Sequence, residues 1–308
     1  MVSFSDRDGW IWLNGEMLPW REAKTHVLTY SLHYGVGCFE GVRAYETPTG
    51  PSIFRLREHT LRLLNSAKIL GMPLNWSAEA LDAAQIAVVC ENGLQQAYLR
   101  PMAFLGSEGM GLRVEGLRTH VMVAAWPWGN YLGEAALSKG IRIRTASFSR
   151  HHVNSAMCRA KANGQYIVSA MALNEVLKDG YDEALMLDTQ GYVAEGSAEN
   201  IFLVKEGELH TPDVTACLDG ITRKTIIRLA GDLGIPVHER RITRDEVYTA
   251  DEAFFTGTAA EVTPIREVDN RVIGSGELGG VTARLQALHL GVVRGAESAY
   301  GECLTPVR

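Results

Sequence analysis

Lys161 is the residue with the most chemistry gathered around it. It sits among small neighbours (Ala160, Ala162, Gly164) where an apolar helical run begins, and Tyr166 follows within about a turn and a half of helix. Further on, GYVAEGSAENIF reads as a tight, glycine-flanked turn holding Glu195 between two strand-like runs. A lysine, a phenol and a carboxylate are the kit that holds pyridoxal phosphate. The lysine forms the Schiff base, the acid pairs with the ring nitrogen, and the phenol hydrogen-bonds the ring oxygen. A lone lysine is more often a solvated residue at a helix start, so the rest of the chain must decide.

A phosphate needs donors, and two stretches can supply them. Gly220-Ile221-Thr222 stands at a helix start, where unpaired N–H groups and the helix dipole favour an anion. Thr256-Gly257-Thr258-Ala259 is small enough for backbone amides to approach a ligand. Arg57 is a third, potentially bidentate donor. Each also has a plain structural reading: a helix cap, a turn and a surface arginine.

The elements that must position these residues follow from pattern. WIWLNGEML reads as a hairpin about Asn14-Gly15. Glu58 to Leu70 is helical and stops at Gly71, Ser77 caps a second helix, and Ala97–Leu105 and Thr119–Trp126 are strands. PWGNYLGE is turn-rich and suggests a linker, which gives a small α/β domain over 1–126, an interdomain loop over 127–139 and a larger domain over 140–308. Helices and strands mix without a regular βαβ rhythm, and phosphate-loop glycine motifs are absent, so an α+β, barrel-like architecture is expected rather than a TIM barrel or Rossmann sheet.

The 308 residues are 46% hydrophobic and 21% charged, with a net charge of −6, which disfavours nucleic acid or anionic membrane as the partner. No run approaches the ~20 apolar residues of a membrane span, and the N-terminus lacks a signal-peptide pattern. Five scattered cysteines have no metal-ligand spacing, so no metal is expected and the reducing cytoplasm is the natural compartment.

Together these stretches resemble the branched-chain amino acid aminotransferases, class IV enzymes of the fold-type IV pyridoxal-phosphate group. The markers are HYGVGCFEGVRAY, FRLREH, AYLRP, GMG, AAWPWGNYLG, AKANGQY, GYVAEGSAENIF, LDGITR and GTAAEVTPI, spread over nearly the whole length. The resemblance implies pyridoxal 5'-phosphate bound covalently at Lys161, the catalytic base. Glu195 then meets the ring nitrogen, Tyr166 the ring oxygen, and Leu218 one side of the ring. Arg57, Ile221, Thr222, Gly257 and Thr258 hold the phosphate. On the substrate side it implies Tyr34, Phe39, Gly41, Arg43, Met110, Trp128 and Tyr131 around a branched side chain. Tyr98, Thr258 and Ala259 grip the α-carboxylate, and Arg100 the distal carboxylate of glutamate.

The implied reaction is reversible, ping-pong transfer of the amino group of L-leucine, L-isoleucine or L-valine to 2-oxoglutarate through the pyridoxamine form. In such enzymes Tyr34 and the Met110 loop complete a neighbour's site, so a homodimer at least is expected; hexamers of three dimers are common in bacterial members. Gly280 stands where the family usually has proline. Rivals within the fold are D-amino acid aminotransferases, R-selective amine transaminases and aminodeoxychorismate lyases. The first pair an arginine with a histidine near the Met110 loop, which here reads GMGLRVEG without histidine. A non-catalytic binding protein would lack Lys161 or Glu195, and a cofactor-free lysine aldolase would need no anion sites.

Overall fold

The computed structural model describes residues 3–128 and 134–308. Tyr131 lies outside them, and the expected interdomain loop falls only partly within them. The chain packs as two compact units, the first comprising residues up to 128 with 160–164 and 292–308, the second the described residues of 129–159 and 165–291. A single boundary near residue 127 therefore does not describe the packing. The Lys161 segment and the C-terminal tail belong with the first unit, because their backbones bond to its strands rather than continuing the second.

In the first unit, β1 (Trp10–Leu13) and β2 (Glu16–Pro19) form the expected hairpin. Asn14 (φ 53°) and Gly15 (φ 105°) adopt the left-handed backbone that its two-residue turn demands. β3 (Gly37–Phe39), β4 (Val42–Thr47), β5 (Gly50–Phe54), β6 (Ala97–Leu105), β7 (Thr119–Trp126) and the terminal strand Leu304–Pro306 complete an eight-stranded sheet among the described residues. Its pairings are antiparallel. Besides a short α1 (Tyr30–Tyr34), it carries α2 (Leu56–Ile69) and α3 (Ala78–Glu91). Leu63, Ala67, Leu81 and Val88 of these helices bury against Val42, Ile53, Leu99 and Val123 of the strands. Ser77 caps α3 as its position suggested, accepting from Ala80 N at 3.1 Å, a contact that contributes about 1 kcal/mol.

The second unit holds a nine-stranded mixed sheet among the described residues. Its strands are β8 (Ile141–Thr145), β9 (Glu183–Leu187), β10 (Val193–Gly196), β11 (Asn200–Lys205), β12 (Glu208–Thr211), β13 (Val237–Glu239), β14 (Glu252–Gly257), β15 (Glu261–Val268) and β16 (Arg271–Val272). Its helices are α4 (Glu134–Lys139), α5 (Val153–Ala156), α6 (Tyr166–Lys178), α7 (Ile221–Asp232), α8 (Arg244–Tyr248) and α9 (Gly280–Val293). β8 and β9 are parallel, so a crossover must join them, and α6 forms part of it. Its buried Ala172 and Val176 pack on Ala184 and Met186 of β9. The α+β class agrees with the sequence reading. Where proline was expected, Gly280 opens α9, and the helix start is held instead by Glu252, whose carboxylate accepts from Val281 N and Thr282 N at 3.0 and 2.7 Å.

Candidate active site

In the first unit the segment around Lys161 is held by its backbone. Lys161 N donates to Ser66 Oγ of α2 (3.0 Å), Phe39 N donates to Lys161 O (3.1 Å), and Gly164 N donates to Gly35 O (3.1 Å). These close approaches explain the run of small residues. A Cβ on Gly37 would lie 2.8 Å from Asn163 Nδ2, and one on Gly35 would lie 3.2 Å from Gly164 Cα. With the main chain pinned, the half-buried side chain is directed over the Phe39 ring, Nζ standing 5.0 Å from its centroid.

The same ring carries a second cation, Arg100, with Cζ at 4.5 Å. Tyr98 and Arg100 are two apart on β6 and so share a face, and Arg100 Cζ is 5.6 Å from the Tyr98 ring. The Tyr98 ring packs tilted against Trp126 and Trp128, with centroids 5.3 and 4.8 Å apart. Gly41 is a glycine because the Tyr98 hydroxyl occupies the place of its Cβ, which would lie 2.0 Å away. Arg43, buried on β4, is in register with Tyr98 and lies over Tyr45. Arg100 Nε is buried with no hydrogen-bond partner among the described residues. Phe39, Gly41, Arg43, Tyr98, Arg100, Trp128 and Lys161 are thus brought into one neighbourhood. Tyr34 is joined instead to the loop that carries Met110. Gly111 N donates to Tyr34 Oη at 3.3 Å, and both side chains are exposed.

Arg57 is placed differently from expectation. Its guanidinium lies 2.7 Å from Glu79 and 2.9 Å from Asp82, fastening α2 to α3 at the surface. Nine residues separate it from Ser66, about 180° around the helix, so it faces away from the Lys161 segment. Arg62, one turn before Ser66, faces the right way. It forks onto buried Glu40, Nε to Oε1 at 2.7 Å and Nη2 to Oε2 at 2.8 Å, and Glu40 also meets His59 Nδ1 at 2.7 Å. The stretch RLREHTLR offers several arginines, and only the helix phase selects among them.

In the second unit Glu195 is buried on strand β10 rather than in a turn. The turn lies one residue later, closed by Gly196 N donating to Glu199 O at 2.6 Å. The Glu195 Oε1 is 2.9 Å from Arg150 Nε, and its Oε2 accepts from Leu218 N at 3.1 Å. Asn200 gathers the remaining residues. Its Nδ2 donates to Leu218 O at 2.9 Å, its Oδ1 fills the space above Gly220, and it pairs with Thr256 across β11 and β14. Gly220 opens α7 without a side-chain cap, which leaves the first-turn N–H groups of buried Ile221 and Thr222 directed out of the helix end. Gly257, Thr258 and Ala259 follow at the end of β14, half-buried. Tyr166, half-buried, is the first residue of α6.

These residues fit pyridoxal 5'-phosphate. The first unit offers a tethered lysine beside an aromatic ring, and the second offers a buried carboxylate beside a cation and an uncapped helix start, each suited to a different part of that cofactor. Sequence reasoning missed Arg62, Glu40 and Arg150. For Arg62 the deciding signal is the helix phase relative to Ser66, which only the folded contact with Lys161 supplies; the other two carry none in their local pattern.

The family model for class IV aminotransferases matches residues 37–268. The branched-chain-amino-acid aminotransferase of Pseudomonas aeruginosa is 59% identical over 307 residues, spanning 100% of both chains. The crystal structure of a T.th. branched-chain amino acid aminotransferase with pyridoxamine 5'-phosphate has a TM-score of 0.95 at 48% identity, covering 98% of this chain and 99% of that one. The T.th. enzyme complexed with N-(5'-phosphopyridoxyl)-L-glutamate has a TM-score of 0.94 at 46% identity, with the same coverage. On the matched length and the identity, this chain belongs to the class IV aminotransferase family, alongside the branched-chain-amino-acid aminotransferases.

Proposed function

We propose that the protein transfers the amino group of L-leucine, L-isoleucine or L-valine reversibly to 2-oxoglutarate, using pyridoxal 5'-phosphate. One observation carries the substrate reading: an aromatic wall of Phe39, Tyr98 and Trp128 shares its neighbourhood with Arg100, whose Nε is buried and unpartnered among the described residues. Such a surface accepts a branched alkyl group and, in the other half-reaction, the distal carboxylate of glutamate. The bound cofactor supplies the electron sink that makes the substrate Cα acidic. Lys161 Nζ holds the cofactor and moves the Cα proton, Glu195 pairs with the ring nitrogen, and Tyr166 meets the ring oxygen. Ile221, Thr222, Gly257 and Thr258 hold the phosphate; Arg62 replaces Arg57 in that set, because it faces the Lys161 segment from α2. Gly41 leaves room for the Tyr98 hydroxyl, Arg43 backs Tyr98, Leu218 lines the ring, and Tyr98 with Ala259 takes the α-carboxylate.

The test is the visible absorption of the purified protein. L-leucine should convert the band of the lysine-bound cofactor to the shorter-wavelength band of the pyridoxamine form, and D-alanine should not. A response to D-alanine alone would assign the D-amino acid reaction. Arg100→Ala should lower kcat/KM for 2-oxoglutarate by about tenfold or more and for L-leucine by far less, since only the acid loses a charged partner. Equal losses for both would remove Arg100 from acid selection.

We also propose at least a homodimer. Val27, Leu28, Leu32, Tyr34, Met110 and Leu112 are exposed apolar residues of the first unit, with Tyr34 tied to the Met110 loop. Sedimentation should return twice the chain mass or, for three dimers, six times; a monomer at micromolar concentration would refute it. Among the described residues no helix is long and apolar enough to cross a membrane. The cytoplasm is the proposed compartment, supported by five cysteines without a disulfide.

A further inference from the structure

We infer that Arg150 is a positioning residue for Glu195: it holds the buried carboxylate ionised and fixes its orientation, so that a charged oxygen is presented to the cofactor's ring nitrogen. The inference rests on the reading of Glu195 given above and adds to it the group through which Glu195 is made fit for that role.

The geometry leaves Arg150 little freedom. Its backbone N donates to Leu187 O of β9 at 2.8 Å, and its guanidinium is buried, Nη1 lying 3.4 Å from Ser169 Oγ of α6. Between these anchors Nε meets Glu195 Oε1 at 2.9 Å. The other oxygen, Oε2, is held by Leu218 N. One carboxylate oxygen thus lies in ion-pair contact with the guanidinium and the other accepts a hydrogen bond from a different segment. A carboxylate has about four lone-pair sites, so capacity for a ring N–H remains. Burial on its own favours the neutral acid, and a neutral acid pairs poorly with a protonated ring; the adjacent guanidinium reverses that preference. Arg150 touches neither cofactor nor substrate in this account and acts through Glu195.

The titratable groups around the pair are His151, Cys158 and Cys217, with charged Asp213 and Arg223 on the Cys217 side. Burial, aided by Arg150, holds the His151 imidazole down to about 4. Burial pushes both thiols up. None of these three changes charge across the neutral range, so a new titration there, once Arg150 is neutralised, reports Glu195. Because Arg150 also depresses His151, the measurement is repeated in a His151→Gln background.

The experiment titrates pyridoxal 5'-phosphate into the cofactor-stripped full chain from about pH 8 to about pH 6, following absorbance, with thermal unfolding as the check on folding. The forms are wild type, Arg150→Met, Arg150→Gln, Arg150→Lys and Glu195→Gln. Without the cation, Glu195 takes up a proton at higher pH. Affinity of the Met and Gln variants should therefore fall by about tenfold more than that of wild type over this range. Lysine, which restores the charge, should restore the wild-type profile. If Arg150→Met does not fold, the contrast between Gln and Lys carries the test. Wild-type profiles in Arg150→Met and Arg150→Gln, with binding weakened in Glu195→Gln, would overturn the positioning role and leave the reading of Glu195 standing. Unweakened binding in Glu195→Gln would remove that reading, and the role of Arg150 with it.

Discussion

Lys161→Ala lowers turnover of L-leucine with 2-oxoglutarate by at least about 10⁴-fold, with little change in stability. The two effects separate because the segment is anchored by its main chain. Lys161 N and O are bonded to Ser66 Oγ and Phe39 N, and the Cys38–Ala162 bridge lies next to them. Alanine keeps all three contacts. What it loses is a half-buried amine over an aromatic ring, a contact of about 1 kcal/mol. Nothing else among the described residues of that segment offers a nitrogen in its place: Ala160 and Ala162 flank it, and the Asn163 amide is not basic. Cofactor binding is partly retained, since the uncapped start of α7 and the Glu195–Arg150 pair are untouched by the change. Steady-state rates and a melting curve on the same preparation decide the matter. A rate within tenfold of wild type would take the proton-moving role away from Lys161.

Local features were legible in the sequence wherever one residue type is forced by backbone geometry. Asn14-Gly15 announces the hairpin because the turn demands positive φ at both positions. The alanines and glycine around Lys161 announce close packing, and close packing is what Gly35 and Gly37 are found doing. Glu195 lies on a strand where a turn was expected, because the glycine after it signals the turn and says nothing of where the preceding strand ends. Arg57 was chosen over Arg62 because composition does not carry helix phase; that phase is fixed by Ser66, which the Lys161 backbone selects from far along the chain. Glu40 with His59, and Arg150 with Glu195, were invisible for the same reason. Each pair joins segments that are apart in sequence, and burial converts an ordinary charged residue into a network member only once the chain has folded.

Glu40→Ala destabilises the protein by about 3 kcal/mol or more, the largest loss of stability expected from one side chain outside the apolar core. Glu40 is fully buried after β3 and receives both arms of Arg62 and the His59 ring. Burial alone would raise its carboxyl; the charge and hydrogen bonds of Arg62, with His59 behind them, outweigh burial and hold it at about 2. For His59 the balance goes the other way. Burial lowers it against the pull of Glu40, with the charge of Arg62 assisting. The two directions are consistent when the ion pair is Glu40 with Arg62 and His59 is a neutral hydrogen-bonding neighbour. Both groups are protonated more readily in the unfolded chain than in the folded one, so both make stability fall toward acid. The His59 contribution is complete above its unfolded value of about 6.5 and erodes as pH drops below it. The Glu40 contribution is complete above about 4.3 and is lost as pH falls toward about 2. The latter amounts to about 3 kcal/mol by linkage. Removing the carboxylate strands Arg62, only slightly exposed, without its fork, and leaves a void between β3 and α2. Denaturant unfolding of wild type, Glu40→Ala and Glu40→Gln at about pH 4.5 and about pH 2, the window in which Glu40 titrates, measures both effects. The wild type should lose stability between those two pH values and the variants markedly less, because the group that titrates is gone. A parallel acid slope in all three would place the acid sensitivity elsewhere. Because Arg62 faces the Lys161 segment, Glu40→Ala should also weaken cofactor binding, by disordering the guanidinium rather than by touching the ligand.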